Sequence, residues 1–560
     1  MAKKNTTLIL LFIFSTGFLQ AQSTLVEVYN IFQQKCVSCH NNADPQNGLD
    51  LEGVGATVDA RAQDVFGNIS NISPANSFAN AKGYKYIYPG RPDLSFLFRK
   101  LNLGLEETID FEDGMNLEEG TMPPYGQDQL TDVEKEMVRQ WILYGAPSNG
   151  TVVDPQVVAD YYTVNGLESF PDGAPEPPAE GEGFQIKMGP YFLRPAGQAG
   201  DELEYFLKYE LDLTLPEDTE VNRVDIKIGP SSHHFILYDF TSPSFANQVL
   251  PGLRLNPDHS GISLVAAVQE ATDLRLPQGT AFPWENNIVL DLNTHYINYS
   301  STSTLKAEAY VNIYTQDAGT AAQEMKTALL VKDNIYIPND GNTDTEIAVV
   351  NANLGQAYIW GIMGHTHQWG TGYKVFKREN GVQGDLIYDA SCPGGIPGCV
   401  SPYFDYQHIP FRYLEPFMPL TFNFNNGIIH EATYINEGPN PVWFGPTSDD
   451  EMMVLVMMYT SDTTGVVFGN PTATEELYNP LEAVKVYPNP MNAQTTFLLP
   501  EGIGSVDFRL FNLLGQPMRS IENIDNQLIF LERGNLSGGM YLYRIEDEEG
   551  RFVSGKIMVE

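Results

Sequence analysis

Basic residues are scarce in this chain. Its 560 residues hold 32 Lys and Arg against 71 Asp and Glu, a formal net charge of -39. The acidic excess is spread along the chain rather than gathered in one tail. That argues against nucleic acid or an anionic membrane surface as a partner, and it fits a solvated surface suited to a saline exterior. Long apolar runs are equally few. One lies at the N-terminus, where Lys3 and Lys4 precede a stretch from Leu8 toward Leu19 and small Ala21. This pattern reads as a secretory signal peptide, residues 1–21, cleaved near Ala21. No other run is long and apolar enough to span a bilayer, and no cysteine sits near the cleavage point to carry a lipid anchor. Cysteine is rare too: four residues in two close pairs, Cys36 with Cys39 and Cys392 with Cys399. The second pair encloses the turn-forming Pro-Gly-Gly-Ile-Pro-Gly, and in an oxidising compartment it is expected to close a disulfide.

The length is too great for one core, and three or four domains are expected. The first is announced by Cys36-Val37-Ser38-Cys39-His40, the CxxCH attachment signature of covalent haem. A helical pattern, Leu25, Val28 and Phe32, leads into it. A second helix closes the module: Thr131 and Glu134 form a capping box, Val133, Met137 and Trp141 follow at helical spacing, and Gly145 and Pro147 end it. Between them stands Gly120-Thr121-Met122-Pro123-Pro124. The order CxxCH, YPGRPDLSFLFRKL, TMPP and WILYGAP resembles a small all-α class I cytochrome c over residues 22–150. The resemblance implies His40 and Met122 as axial ligands of one covalent haem c, with Met115 as the competitor of Met122. Such ligation suits transfer of single electrons. Residues 151–183, including PDGAPEPPAEGEG, read as a Pro/Glu/Gly-rich linker.

From Phe184 to about Asp462 short alternating runs such as LEYFLKYELDL and NIVLDLNTHYINY are separated by Gly, Pro, Asn and Asp. No helical period persists, so two antiparallel β-sandwiches, jelly-roll-like, are expected over 184–318 and 319–463. Six of the nine histidines draw attention. His40 belongs to the haem motif. His365 and His367 stand two apart in GIMGHTHQWG, where a strand would place both on one face with Thr366 on the other. His233 and His234 are adjacent, and neighbours on a regular strand face opposite ways. Joint ligation therefore needs a bulge or strand end, which the preceding Gly229-Pro230-Ser231 can supply; otherwise one is a core residue and the other a surface residue. His295 follows in LNTHYINYS. His259, His408 and His430 are expected to be structural or to support a ligand from behind, rather than to bind metal themselves.

Taken in order, HH, HY, HTH and the DEM ending in Met452 resemble the copper type II, ascorbate-dependent monooxygenases, the family of peptidylglycine α-hydroxylating monooxygenase and dopamine β-monooxygenase. The stretch from Asp405 to Met452 is similar to the family's approach to its methionine ligand. The resemblance covers about half the chain and implies two coppers. His233, His234 and His295 would hold an electron-storing ion; His365, His367 and Met452 would hold the catalytic, oxygen-activating one. Met453, one residue on, reads as core. Two departures stand out, one being that the family's extra disulfides are missing, since only Cys392 and Cys399 are free to pair. Where peptide-amidating members carry an arginine and a tyrosine that grip a carboxylate, this chain has Met363 and Val456, so a glycine-extended peptide is not the expected substrate.

After a second linker, residues 464–481, the last segment (482–560) resembles the type A C-terminal sorting domain of type IX secretion. VYPNP from Val486 to Pro490, NLLGQ, a Gly-Met-Tyr strand and a final Lys-Ile-Met-Val carry the likeness. It implies a small β-sandwich, the type IX machinery as partner, and release from the cell or attachment to its outer surface. The combined expectation is an exported monooxygenase acting on a small or peptide-like substrate with O₂ and an external electron donor. The alternatives are an electron-transfer or copper-binding protein at the surface, and an adhesive or glycan-binding module.

Overall fold

The computed structural model describes residues 22–101, 120–163, 166–211, 215, 217–229, 231–257, 260–268, 271–350, 353–390, 404, 406, 411–445, 450–468, 484–500, 504–512, 517–524, 526–547 and 552–559. The signal peptide, Met115, His259, His408, most of the second linker and the Cys392–Cys399 pair lie outside these residues. The chain divides into two compact units, Met1–Val158 and Ala159–Glu560. No described helix is long and apolar enough to cross a membrane.

The first unit is helical. Helix α1, Thr24–Lys35, starts where the Ser23 side chain accepts from Val26 N–H, and it buries Leu25, Val28, Tyr29 and Phe32. Helix α2, Asp132–Leu143, opens with the expected capping box of Thr131 and Glu134. Trp141, fully buried, packs with Phe32, Val138 and Ile142 in one core, joined by Val65 and Ile69 of a helix Val58–Ile69 that the sequence reading passed over. Its Ala62, Val65 and Ile69 do keep a helical spacing, diluted by the polar residues between them.

The second unit is built from antiparallel sheets. Five strands lie in the order Leu253–Arg254, Glu202–Glu210, Val289–Ile297, Ser232–Phe240, Ile262–Val268. The seven-stranded sheet opposite is centred on Thr219–Ile228 and Leu305–Asp317. Leu290, Leu292, Thr294 and Tyr296 alternate along one face of Val289–Ile297. That face meets the larger sheet, since Tyr191 bonds Thr294 Oγ1 at 2.8 Å and stands edge-on to Tyr296. The opposite face carries Asp291, Asn293 and His295, all buried as well.

Two four-stranded sheets follow. One runs Lys326–Val331, Val454–Thr460, Gly355–His365, Arg412–Phe422; the other runs Thr343–Val350, Gly427–Ile435, Gly370–Glu379, Val382–Asp389. They enclose one core that includes Ile359, Val375, Ala432 and Leu455, and it also takes in Tyr238 and Leu264 from the five-stranded sheet. The two β-sheet bodies are thus packed together, which buries the polar face of Val289–Ile297. Residues 485–559 form a small sandwich of three and four strands.

Two boundaries differ from expectation. The 151–183 stretch is not simply a linker: it holds a helix, Pro155–Thr163, and a strand, Leu167–Glu168, that pairs with Leu305 and Lys306. Its proline-rich part is tied down by Gln185 Nε2 on Pro175 O and Asn312 Nδ2 on Glu176 O, both at 2.9 Å. Backbone carbonyls that proline leaves available are thereby used by side chains of the sheet. The passage to the next β-sheet body also comes after residue 318, because Gln323 and Glu324 still pair with Thr280 and Ala281.

Asp239, on Ser232–Phe240, gives the fold a pH dependence. Burial raises its carboxyl to about 6, opposed by a hydrogen bond from Ser263. The folded chain then holds this proton more tightly than the unfolded one, so stability falls as pH rises from about 4 to about 6. Denaturation of wild type and Asp239→Asn across that range is expected to show a slope of about 2–3 kcal/mol in wild type that the variant lacks.

Candidate metal centre

His233 and His234 reach the same side through a bulge. His295 pairs with His234, but the next residue, Tyr296, pairs with Ser232, so His233 is the extra residue with no partner across the ladder. An inserted residue of this kind bends the strand and re-aims its side chain. Gly229, Ser231 and Ser232 hold the bend: Gly229 N–H donates to Tyr296 Oη at 3.0 Å, and Ile297 N–H donates to Ser231 O at 2.9 Å. The three imidazoles then stand 5.0 to 5.6 Å apart, centroid to centroid. One nitrogen from each falls within 4.8 Å of the others.

Carboxylates anchor two of these rings. Glu204 lies across from His295 on the neighbouring strand, and Glu202 is on the same face. Glu204 Oε1 meets His234 Nε2 at 3.1 Å, Asn293 Oδ1 meets the same nitrogen at 3.0 Å, and Glu202 Oε1 meets His295 Nε2 at 2.8 Å. With Nε2 engaged, each ring has Nδ1 left to offer a cation, and a carboxylate behind an imidazole raises its basicity as a ligand. Burial alone would raise the Glu204 carboxyl, but the bonds and charges of His234, His295 and Asn293 hold it below its usual range. The sequence reading missed Glu202, Glu204 and Asn293. The signal was there: acids two apart at the start of a strand, and an Asn two before His295.

The second pair is arranged differently from expectation. The strand Gly355–His365 ends at His365, and His367 lies in the turn beyond it. Its position is set by Glu451, a fully buried residue the sequence reading did not single out. Glu451 accepts N–H groups of His367 at 2.8 Å, Trp369 at 2.6 Å and Met452 at 3.1 Å. One carboxylate thus ties the HxH turn to the backbone of Met452. Burial pushes this carboxyl up to about 7 against those donors. His367 Nδ1 is 3.0 Å from Asp450 O, which makes it the protonated nitrogen and leaves Nε2 as the lone-pair donor. The His365 and His367 rings are 5.3 Å apart. Met453 is fully buried in the core, as are Met363 and Val456, which face each other across neighbouring strands.

The surroundings of His233, His365 and His367 favour neutral rings. Burial first, then the neighbouring His234, His295, His365 and His367, holds His233 far below the ordinary imidazole range. Burial and the neighbouring imidazoles do the same to His365, and His367 falls to about 4. The two groups are therefore close enough to act on each other's charge. Neutral imidazoles at His233, His365 and His367 suit a cation rather than an anion.

In the helical unit a largely apolar pocket of about 130 Å³ is lined by Cys36, His40, Leu97, Leu101 and Met122, among others. His40 Nδ1 lies 3.2 Å from Leu49 O, which leaves Nε2 as its second nitrogen. Cys36 and Cys39 are not joined to each other, and burial raises the Cys36 thiol to about 12. Of the remaining histidines His430 is buried against Tyr373.

Residues 485–560 match the secretion system C-terminal sorting domain family. The chain is accordingly a type IX secretion cargo, bound for the exterior or the outer cell surface. No curated protein sequence matches it. Among solved structures it is similar to CopC from Methylosinus trichosporium OB3b, at 16% identity over 14% of this chain and 90% of that one, TM-score 0.11. It is similar to the STIV MCP at 11% identity over 50% and 93%, TM-score 0.19. A β-glucuronidase from Ruminococcus gnavus gives 10% identity over 66% and 46%, TM-score 0.13. Likenesses this slight carry no argument about function.

Titration calorimetry with Cu²⁺ or Zn²⁺ tests the anchored cluster. Replacing His295 with Ala is expected to abolish binding there, while Glu204→Ala weakens it about 10–100-fold by freeing the His234 ring. Unchanged affinity in the second variant would remove the anchoring role.

Proposed function

We infer that this chain is an exported copper-dependent monooxygenase that hydroxylates a C–H bond of a small or peptide-like substrate with O₂, drawing electrons through its own c-type haem. The reading rests above all on the bulge that turns His233, His234 and His295 to one side, with carboxylates behind two of them. The donor chemistry supports copper. Imidazole suits both copper oxidation states, and the thioether of Met452 favours the reduced one. Copper held in the two places would supply one-electron storage in the first and oxygen activation in the second.

The protein's own part is to hold and orient. Glu202 and Glu204 fix the His295 and His234 rings; Asp450 O fixes the His367 tautomer; Glu451 keeps His367 and the Met452 backbone in one arrangement. Packing of the β-sheet bodies excludes water from Asn293 and His295, which strengthens every electrostatic contact there. In the helical unit Cys36 and Cys39 would attach haem c, and His40 and Met122 would hold its iron. An imidazole and a thioether on iron would suit it to the transfer of single electrons.

Met363 and Val456 pack against each other inside the core, so no carboxylate clamp stands at those positions. The same packing favours a second reading: a copper protein that passes electrons without hydroxylating anything.

Metal and haem analysis of protein matured with copper and haem tests the first reading. About two coppers and one haem per chain are expected, with His233→Ala and Met452→Ala each losing about one copper. Haem without copper would sink it. Oxygen uptake coupled to a hydroxylated product separates it from the electron-transfer reading. Removing residues 485–560 is expected to leave the protein inside the cell envelope, read by fractionation.

A further inference from the structure

The second β-sheet body buries a tyrosine and a histidine to which the reading above gives no role. They lie on neighbouring strands, Gly370–Glu379 and Gly427–Ile435, where Tyr373 pairs with Ala432 and Val375 with His430. Tyr373 and His430 therefore share a face as a diagonal pair. They are 0% and 1% exposed. Their rings stack at 5.9 Å with 28° between planes, and the Tyr373 hydroxyl is 2.7 Å from His430 Nδ1. Burial, then the charge of Lys332, lowers His430 to about 4. The ring is thus neutral at physiological pH, and Nδ1 accepts the phenolic hydrogen.

Tyr373 also touches the strand that ends at His365. Its ring lies against the backbone of Gly364, where any side chain would collide with it. Gly364 directly precedes His365, and neighbours on a strand face opposite ways, so the backbone of this strand lies between the Tyr373 ring and the His365 imidazole. A phenol gives up an electron far more easily when its proton can leave at the same time, and a hydrogen-bonded neutral imidazole is a base suited to take it. The neighbouring Tyr434 donates instead to the Met452 carbonyl at 2.8 Å, a group too weakly basic for that role.

We propose that Tyr373 and His430 form a proton-coupled redox pair that draws an oxidising equivalent away from the His365–His367 centre and so spares those ligands. The source of the oxidant rests on the monooxygenase reading: a one-electron oxidant arising when oxygen is reduced there with no substrate to consume it. One electron leaves the Tyr373 ring for that oxidant. The phenolic O–H bond breaks and an N–H bond forms at His430 Nδ1, leaving a neutral tyrosyl radical beside an imidazolium. A one-electron reductant such as ascorbate restores the phenol, and the proton returns from His430. Lys332, itself paired with Glu346 at 2.8 Å, opposes the imidazolium and favours this return.

The first test uses the full chain without copper and an external oxidant, a photo-excited ruthenium polypyridyl complex with a sacrificial acceptor, read by electron paramagnetic resonance. Wild type is expected to give a tyrosyl signal that falls several-fold in Tyr373→Phe. In His430→Gln, which keeps an acceptor of similar reach but a much weaker base, the signal is expected to decay faster and form in lower yield. A signal unchanged in both variants overturns the pair. The second test incubates copper-loaded protein with ascorbate and oxygen but no substrate, and maps oxidised His365 and His367 by peptide mass spectrometry. Damage several-fold greater in Tyr373→Phe than in wild type supports the protective role, and equal damage overturns it. Because the first test needs no copper, a chain that forms the radical but binds no copper shows the monooxygenase reading to be at fault, not the redox pair.

Discussion

One residue inserted into one strand carries the whole arrangement. Were the ladder between Ser232–Phe240 and Val289–Ile297 regular past His295, His233 would point away from His234 and no three-nitrogen cluster would exist. The bulge spends one residue of pairing to converge three imidazoles. It occurs where Gly229 and Ser232 can satisfy the freed backbone groups, so the distortion leaves few polar atoms without partners.

Around that bulge the chemistry is set by carboxylates in two distinct uses. Glu202 and Glu204 act on side chains, taking the far nitrogen of an imidazole and so deciding which nitrogen is left for a cation. Glu451 acts on backbone, gathering three N–H groups from two segments that are far apart in sequence. The first use tunes ligands and the second fixes geometry. Both depend on exclusion of water, because the same bonds in open solvent would compete with hydration.

Burial of the polar face of Val289–Ile297 connects fold to site. Alternation of Leu290, Leu292 and Tyr296 with Asp291, Asn293 and His295 reads as an ordinary half-buried strand with its polar side in water. In the folded chain that side is covered, since the core of the second β-sheet body extends to Tyr238 and Leu264. The cost of desolvating these polar groups is offset by mutual hydrogen bonds, as for His234 with Asn293.

What the sequence by itself determined is local or carried by ordered motifs. The capping box at Thr131, the helix before Cys36, the strand-rich middle and the sorting segment from residue 485 depend on residues close together in the chain, so spacing alone reveals them. The histidines could also be singled out as candidates, because HH and HTH are short. Tertiary structure alone decided the rest: that His233 is bulged, that Glu202 and Glu204 stand behind the cluster, that Glu451 joins His367 to Met452, and that Tyr373 rests on Gly364. Apart from the bulge and the Tyr373–Gly364 contact, each of these relations joins residues that are 30 or more positions apart. Strand register sets them, and register follows from how whole sheets bury their apolar faces rather than from any one segment.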